Sequence, residues 1–286
     1  MVCRNGGKPS KREKWFFGAE NIDIVNSYKY LGINLTPQLS LGKHLDRRLA
    51  KAKIGLNSVW KFFVANNGIP LTAKMEMFYT VGRAIMCYGA QVWGGKSYKQ
   101  VEQLLTFFIK KLLRLPRNTP NYIINLETKV APMFAYTLQL HHNYLIKVLE
   151  MPNTRYPKIL AMEAIKRKAY WYKDLCSLNN EHGAIVNVNC DNIANWKSEL
   201  SMLRDQICNR HKVQWINRAQ NSQSTVIYKK LNYNLDSNVA YFNDNFATNN
   251  ISWIIKLRGD LLNLNYKRYN NDLTTQLCTL CNMKEL

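Results

Sequence analysis

The chain has 286 residues, 47% of them hydrophobic, enough to build a core and to exclude wholesale disorder. Forty Lys and Arg against nineteen Asp and Glu leave a formal charge of +21. An excess of that size repels itself in the compact state, which points to a polyanionic partner. The basic residues run the whole length rather than flanking one amphipathic helix, so nucleic acid fits better than a membrane surface. Seven cysteines, mostly scattered singly, suit a reducing compartment, and no apolar run approaches a membrane span. The expectation is a soluble intracellular protein, nuclear or cytoplasmic.

The pattern predicts a mainly α fold: a small N-terminal β-hairpin region, then a compact helical bundle, then a helical, loop-rich connector. Residues 1–36 read as strands. Lys14-Trp15-Phe16-Phe17 precedes a turn at Gly18-Ala19-Glu20-Asn21 and a strand at Ile22-Asp23-Ile24-Val25, and Tyr28 to Leu35 alternates with period two.

From Leu41 the period becomes helical. Leu45, Leu49, Ala52, Leu56, Trp60 and Phe63 share one face, with Arg47, Lys51 and Lys61 opposite. Gly68-Ile69-Pro70 ends that helix. A second is expected from Thr72 to Trp93, its Gly82 and Gly89 implying close approach of a neighbour. A third is expected from Ser97 to Leu115, stopped by Pro116, and another from Phe134 to Leu149. A boundary falls near Pro152–Pro157, dividing a bundle (37–152) from a basic connector (153–286). Helices are expected there over Lys158–Leu178 and Trp196–Arg218, followed by Asn-rich loops.

Three constellations carry chemistry. The first is a basic face: Arg47, Arg48, Lys51, Lys53 and Lys61 on one helix and Lys110, Lys111, Arg114 and Arg117 on another. Cations spaced along phosphates bind without sequence preference, although any single charged helix face is by default merely solvated. The second is Lys166-Arg167-Lys168-Ala169-Tyr170-Trp171-Tyr172-Lys173. Bases stack on such aromatics while cations hold the strand, or the aromatics simply pack inward. The third is Cys278-Thr279-Leu280-Cys281, half a zinc knuckle. Zinc needs four ligands, so the ion is expected only if the knuckle is completed; Cys208 and His211, one helical turn apart, are the nearest source of more. His141-His142 reads as helix surface and core packing. No Asp-Asp, Asp-x-Asp, His-x-x-x-His, Gly-x-Ser-x-Gly or phosphate loop occurs, so no catalytic site is expected.

Tyr28-Lys29-Tyr30-Leu31-Gly32-Ile33, Asn57-Ser58-Val59-Trp60, Tyr88-Gly89-Ala90-Gln91-Val92-Trp93-Gly94, Leu115 to Tyr122, Leu126-Glu127-Thr128, Lys256-Leu257-Arg258 and Leu277 to Asn282 occur in this order. Together they resemble the reverse transcriptase of non-LTR (LINE-like, jockey-related) retrotransposons, from just after the catalytic palm to the carboxy end. The resemblance implies that Tyr28 to Gly32 form a primer grip, that the following helices are the thumb, and that Cys278 and Cys281 begin a Cys-Cys-His-Cys knuckle. It implies binding of RNA, DNA or their hybrid. It also implies a parent RNA-directed DNA polymerase that uses Mg²⁺, with the palm and fingers as missing partners. The family's catalytic Asp residues and the knuckle's last two ligands have no counterpart in residues 1–286, so a non-catalysing fragment is expected. The alternatives are a helical protein-interaction module, with Trp15, Phe16 and Phe17 as its sticky patch, or a translated relic without a selected function.

Overall fold

The computed structural model describes residues 1–2, 10, 13–182, 193–222, 225–230 and 247–262. The fold is mainly helical, with two short antiparallel hairpins at the N-terminal end. In the first, β1 (Trp15–Phe17) pairs with β2 (Glu20–Ile22), turning at Gly18 with φ +60. The second strand therefore starts two residues earlier than the apolar pattern suggests, because Gly18-Ala19 alone makes the reversal. In the second, β3 (Tyr28–Tyr30) pairs with β4 (Ile33–Leu35). The alternating stretch is thus not one strand but a hairpin within itself. Leu31 (φ 45) and Gly32 (φ 80) both take positive φ, as a two-residue turn matched to strand twist requires.

Helix α1 (Gly42–Ser58) buries Leu45, Ala52 and Leu56 and ends in a π-helical turn, Trp60–Val64. The next segment is less regular than a single helix over 72–93. Helix α2 (Leu71–Met77) runs into a second π-helical turn (Phe78–Arg83) and then α3 (Ala84–Met86). Gly89, at φ +74, breaks the rod before α4 (Ala90–Trp93). Of the two glycines expected to admit a neighbour, Gly82 does so inside the helical rod: an added Cβ would lie 2.9 Å from Leu56 Cδ1. Gly89 admits one too, an added Cβ lying 3.0 Å from Ile33 Cδ1, and it also supplies a left-handed turn.

Helix α5 (Lys99–Leu112) is strongly amphipathic, and Val101, Leu104, Leu105, Phe108, Ile109 and Leu112 are buried. Its C-terminus closes by two backbone bonds, Leu115 N–H to Lys110 O and Arg114 N–H to Lys111 O, with Arg114 left-handed at φ 47. That is the Schellman arrangement, here without its usual glycine. Helices α6 (Asn121–Thr128) and α7 (Met133–Leu149) follow, each entered after a proline. Glu102 on α5 accepts the Phe134 N–H at 2.8 Å, so a buried side chain from a neighbouring helix caps α7. Burial pushes the Glu102 pKa up, against the lowering effect of the Phe134 and Met133 amides.

Helices α8 (Tyr156–Lys166), α9 (Trp171–His182) and α10 (Ile193–Gln220) build a second core with α7 around Phe134, Leu138, Leu175, Trp196, Leu200, Leu203 and Ile207. The helix expected over 158–178 is divided in two. Ala169 N–H bonds Ala164 O, Lys168 N–H bonds Ile165 O, and Lys168 sits at φ 49, which is again a Schellman stop.

Beyond residue 152 the chain also returns to the first core. Ala219, Tyr228 on α11 (Val226–Lys229), and Ile251 and Ile255 on α12 (Thr248–Arg258) are buried there with Leu56, Phe78 and Phe108. Ser252 Oγ donates to Leu113 O, Lys74 Nζ to Thr248 Oγ1 at 3.4 Å, and Arg258 pairs with the buried Glu127 at 2.9 Å. His141 and His142 lie inside rather than half on the surface. His141 donates from Nδ1 to Gln91 O at 2.8 Å; burial takes the His142 pKa down to about 3. Among the described residues, no helix is long and apolar enough to cross a membrane.

Candidate nucleic-acid interface

Helices α1 and α5 lie side by side and run in the same direction. Gln100 Nε2 donates to Asp46 Oδ1 at 3.0 Å and Lys111 Nζ to Asn57 Oδ1 at 2.6 Å, each joining positions 54 apart. Between them Lys53 Nζ stands 4.9 Å from the Phe107 ring centroid, at the same offset. A constant offset over three contacts is what two parallel helices of equal rise produce. Parallel neighbours need a long connection, and the α2–α4 segment supplies it.

Lys53 and Lys111 of the basic face stand in this seam. Arg47, Lys51, Lys61, Lys111 and Arg114 are exposed, and Lys53 and Lys110 are half-buried. Lys111 also sits 4.0 Å from the Trp60 ring centroid, and Lys110 donates to Arg117 O at 2.8 Å. Burial pushes both ammonium pKa values down. Arg114 sits on the backbone turn that ends α5, with its side chain exposed.

Two arginines of the expected face have another task. Arg48 donates from Nη2 to Gly32 O at 3.3 Å and stacks 4.2 Å from the Tyr88 centroid. Tyr88 Oη in turn donates to Leu31 O at 2.9 Å. Arg47 donates from Nη1 to Asn34 Oδ1 at 2.9 Å. The hairpin carrying Tyr28, Lys29, Tyr30, Leu31 and Gly32 is therefore fastened to α1 and to Tyr88, while Tyr28, Tyr30 and Leu31 themselves face solvent. The backbone amide of Asn34 adds a bond to His44 Nδ1 at 3.2 Å. Burial, and the nearby Arg48 charge, hold His44 below the usual histidine range.

The run from Lys166 to Lys173 spans the α8–α9 joint, on the second core, so it is not an extension of the seam. Arg167 pairs with Glu163; Lys166 and Lys168 are exposed. Tyr170 is 81% exposed, whereas Trp171 packs against the second core and the edge of Tyr172. Of the two aromatics expected to stack bases, Tyr170 is open and Trp171 is half-buried. Cys278 and Cys281 lie outside the described residues. Cys208 and His211 are on α10, and among the described residues no group of three metal-ligating side chains forms.

Sequence reading did not assign to the seam the residues that organise it: Asn57 and Trp60, read there only as a landmark and an inward face, and Phe107. None carries a charge pattern, and only the helix-to-helix register brings them to the cations. Compared with models of known protein families, with curated proteins and with solved structures, the chain finds no match.

Proposed function

We propose that this chain binds primer–template nucleic acid, whether RNA, DNA or their hybrid, without reading its sequence. Its origin, on this reading, is the primer-grip, thumb and connector portion of a non-LTR reverse transcriptase. The observation that carries the reading is the parallel α1/α5 seam, where Lys53 and Lys111 stand on one register with Asp46 at its far end, and Lys61 and Arg114 are exposed just past the two helix ends. Phosphates bound there would release condensed counterions, so affinity should fall steeply with salt. The fastened Tyr28–Gly32 hairpin supports the same reading, since a strand end can be positioned only by a rigid backbone. The polymerase's palm and fingers would supply the acidic residues and Mg²⁺; this chain alone binds without catalysing.

The test is titration against a hybrid, a duplex and a single strand across salt concentrations. Log affinity should fall linearly with log salt, and each of Lys51→Gln, Lys61→Gln and Lys111→Gln should lower that slope by about 1. Negligible binding at low salt overturns the proposal.

A second reading, docking of another protein chain, is favoured by one observation: Trp15, Phe16 and Phe17 are 47%, 61% and 80% exposed. Adjacent exposed aromatics mark an interaction surface more often than a solvated one. Phe16→Ser with Phe17→Ser should then abolish association while leaving salt-dependent binding of nucleic acid intact.

A further inference from the structure

Arg83 closes the π-helical turn Phe78–Arg83, and its guanidinium lies between two rings, 4.1 Å from the centroid of Tyr79 and 4.1 Å from that of Tyr136. Its Nε is buried and has no hydrogen-bond partner. Arg204, from α10, lines the same cavity; it donates from Nη2 to Ser201 Oγ at 3.2 Å, and its Nε is also buried without a partner. Among the described residues, no carboxylate forms an ion pair with either arginine. The cavity encloses about 380 Å³.

Two guanidinium groups with no paired carboxylate among the described residues line one cavity, and each also leaves a buried Nε unsatisfied, so the site is short of an anion that the remaining N–H groups can hold. Arginine's planar fork suits a phosphate bidentately, and stacking between two tyrosines fixes the plane of that fork before anything binds. π-Helical turns recur at functional sites, where the extra residue re-aims a side chain. Val130, Pro132 and Met133 add an apolar part to the lining, and Asp205 stands at the cavity as well. A carboxylate repels a phosphate but accepts hydrogen bonds from hydroxyl and amino groups. The lining therefore brings groups for an anion and for a polar organic group to one cavity. The volume is within the range of small-molecule sites.

We infer that this cavity binds a nucleoside monophosphate group, its phosphate on Arg83 and Arg204 and its sugar or base against the apolar lining and Asp205. That group arises either as a free nucleotide or as the 5′-phosphorylated end of a strand. The inference does not depend on the α1/α5 seam, which shares none of these side chains.

Calorimetric titration of the full chain with AMP, with adenosine, and with one oligonucleotide bearing either a 5′-phosphate or a 5′-hydroxyl tests it. Saturable binding of AMP but not adenosine is expected, weakened roughly tenfold or more in Arg204→Gln, because a hydrogen bond to a charged group is lost. Arg83→Lys keeps the charge and loses the fork, and should weaken AMP comparably; should it fail to fold, Arg204→Gln still decides. A preference for the 5′-phosphate that disappears in Arg204→Gln assigns the strand end; AMP binding without such a preference assigns the free nucleotide. Absence of AMP binding, or binding unchanged in Arg204→Gln, overturns the inference. Lys111→Gln serves as the control: it should weaken strand binding and leave AMP unaffected, so a failure of the seam and a failure of the cavity are told apart.

Discussion

At the scale of single residues, three positions show how backbone and burial constrain this chain. A Cβ added to Gly94 would lie 2.2 Å from the backbone oxygen of Thr137, where α4 meets α7. Backbone cannot give way as a flexible side chain does. Gly94→Ala should cost about 3 kcal/mol, at the upper end of overpacking effects, read from the urea midpoint. Lys168 presents the converse case, a long side chain at φ 49 in a position that glycine fills without strain. Lys168→Gly should raise stability by roughly 1 kcal/mol while Lys168→Ala does not, which separates backbone strain from loss of charge. His142 links burial to pH. Its pKa falls from 6.5 to about 3 in the folded chain, first through desolvation and then through the neighbouring His141 and Arg204. Between those values the unfolded chain binds the proton and the folded chain resists it. Stability is therefore full above pH 6.5 and declines as pH falls toward 3, by up to about 1.4 kcal/mol per unit. In His142→Gln the denaturation midpoint should depend less steeply on pH between 6.5 and 4; an unchanged slope would contradict the assignment.

At the scale of elements, the β3–β4 hairpin matters most for the proposed function. It has only three residues per strand, and isolated two-stranded ribbons are marginal in water. What holds it is the Arg48–Tyr88 pair gripping the carbonyls of its turn, together with His44 behind Asn34. Tyr88→Phe removes one bond to Leu31 and keeps the ring under Arg48. Amide exchange in Tyr28–Leu35 should then quicken by roughly tenfold while the global unfolding midpoint hardly moves. Equal loss of protection throughout the chain would mean that the hairpin is not a separately opening unit.

At the scale of the whole molecule, the first core is not closed by residues 37–152 alone. Ala219, Tyr228, Ile251 and Ile255 complete it from far along the chain, and Arg258 neutralises the buried Glu127. A chain ending at residue 152 exposes that apolar surface and leaves Glu127 without this partner. It should keep helical far-ultraviolet circular dichroism, lose near-ultraviolet signal and bind a hydrophobic dye. Native-like near-ultraviolet signal in the shortened chain would show that the bundle stands alone. The two landmarks of the family resemblance that carry Glu127 and Arg258 are thus in direct contact, although 131 positions separate them.

The sequence by itself determined the mainly helical class, the N-terminal strands, and the inward faces of α1 and α5. Each follows from a local period of apolar residues, and local period is written in consecutive positions. It also determined the excess charge and which helices carry it. Helix ends were less legible where a non-glycine residue takes the left-handed turn, as at Lys168 and Arg114, because nothing in those residue types announces it. Only the tertiary structure decided that α1 and α5 run parallel with one offset, which is what collects Lys53 and Lys111 beside Asn57, Phe107 and Trp60. It alone assigned Arg48 to the hairpin, Trp171 to a core and Arg83 to a cavity. A charged or aromatic side chain has the same sequence signature whether it faces solvent, a ring or a carbonyl, and its partner is chosen by packing between segments far apart in the chain.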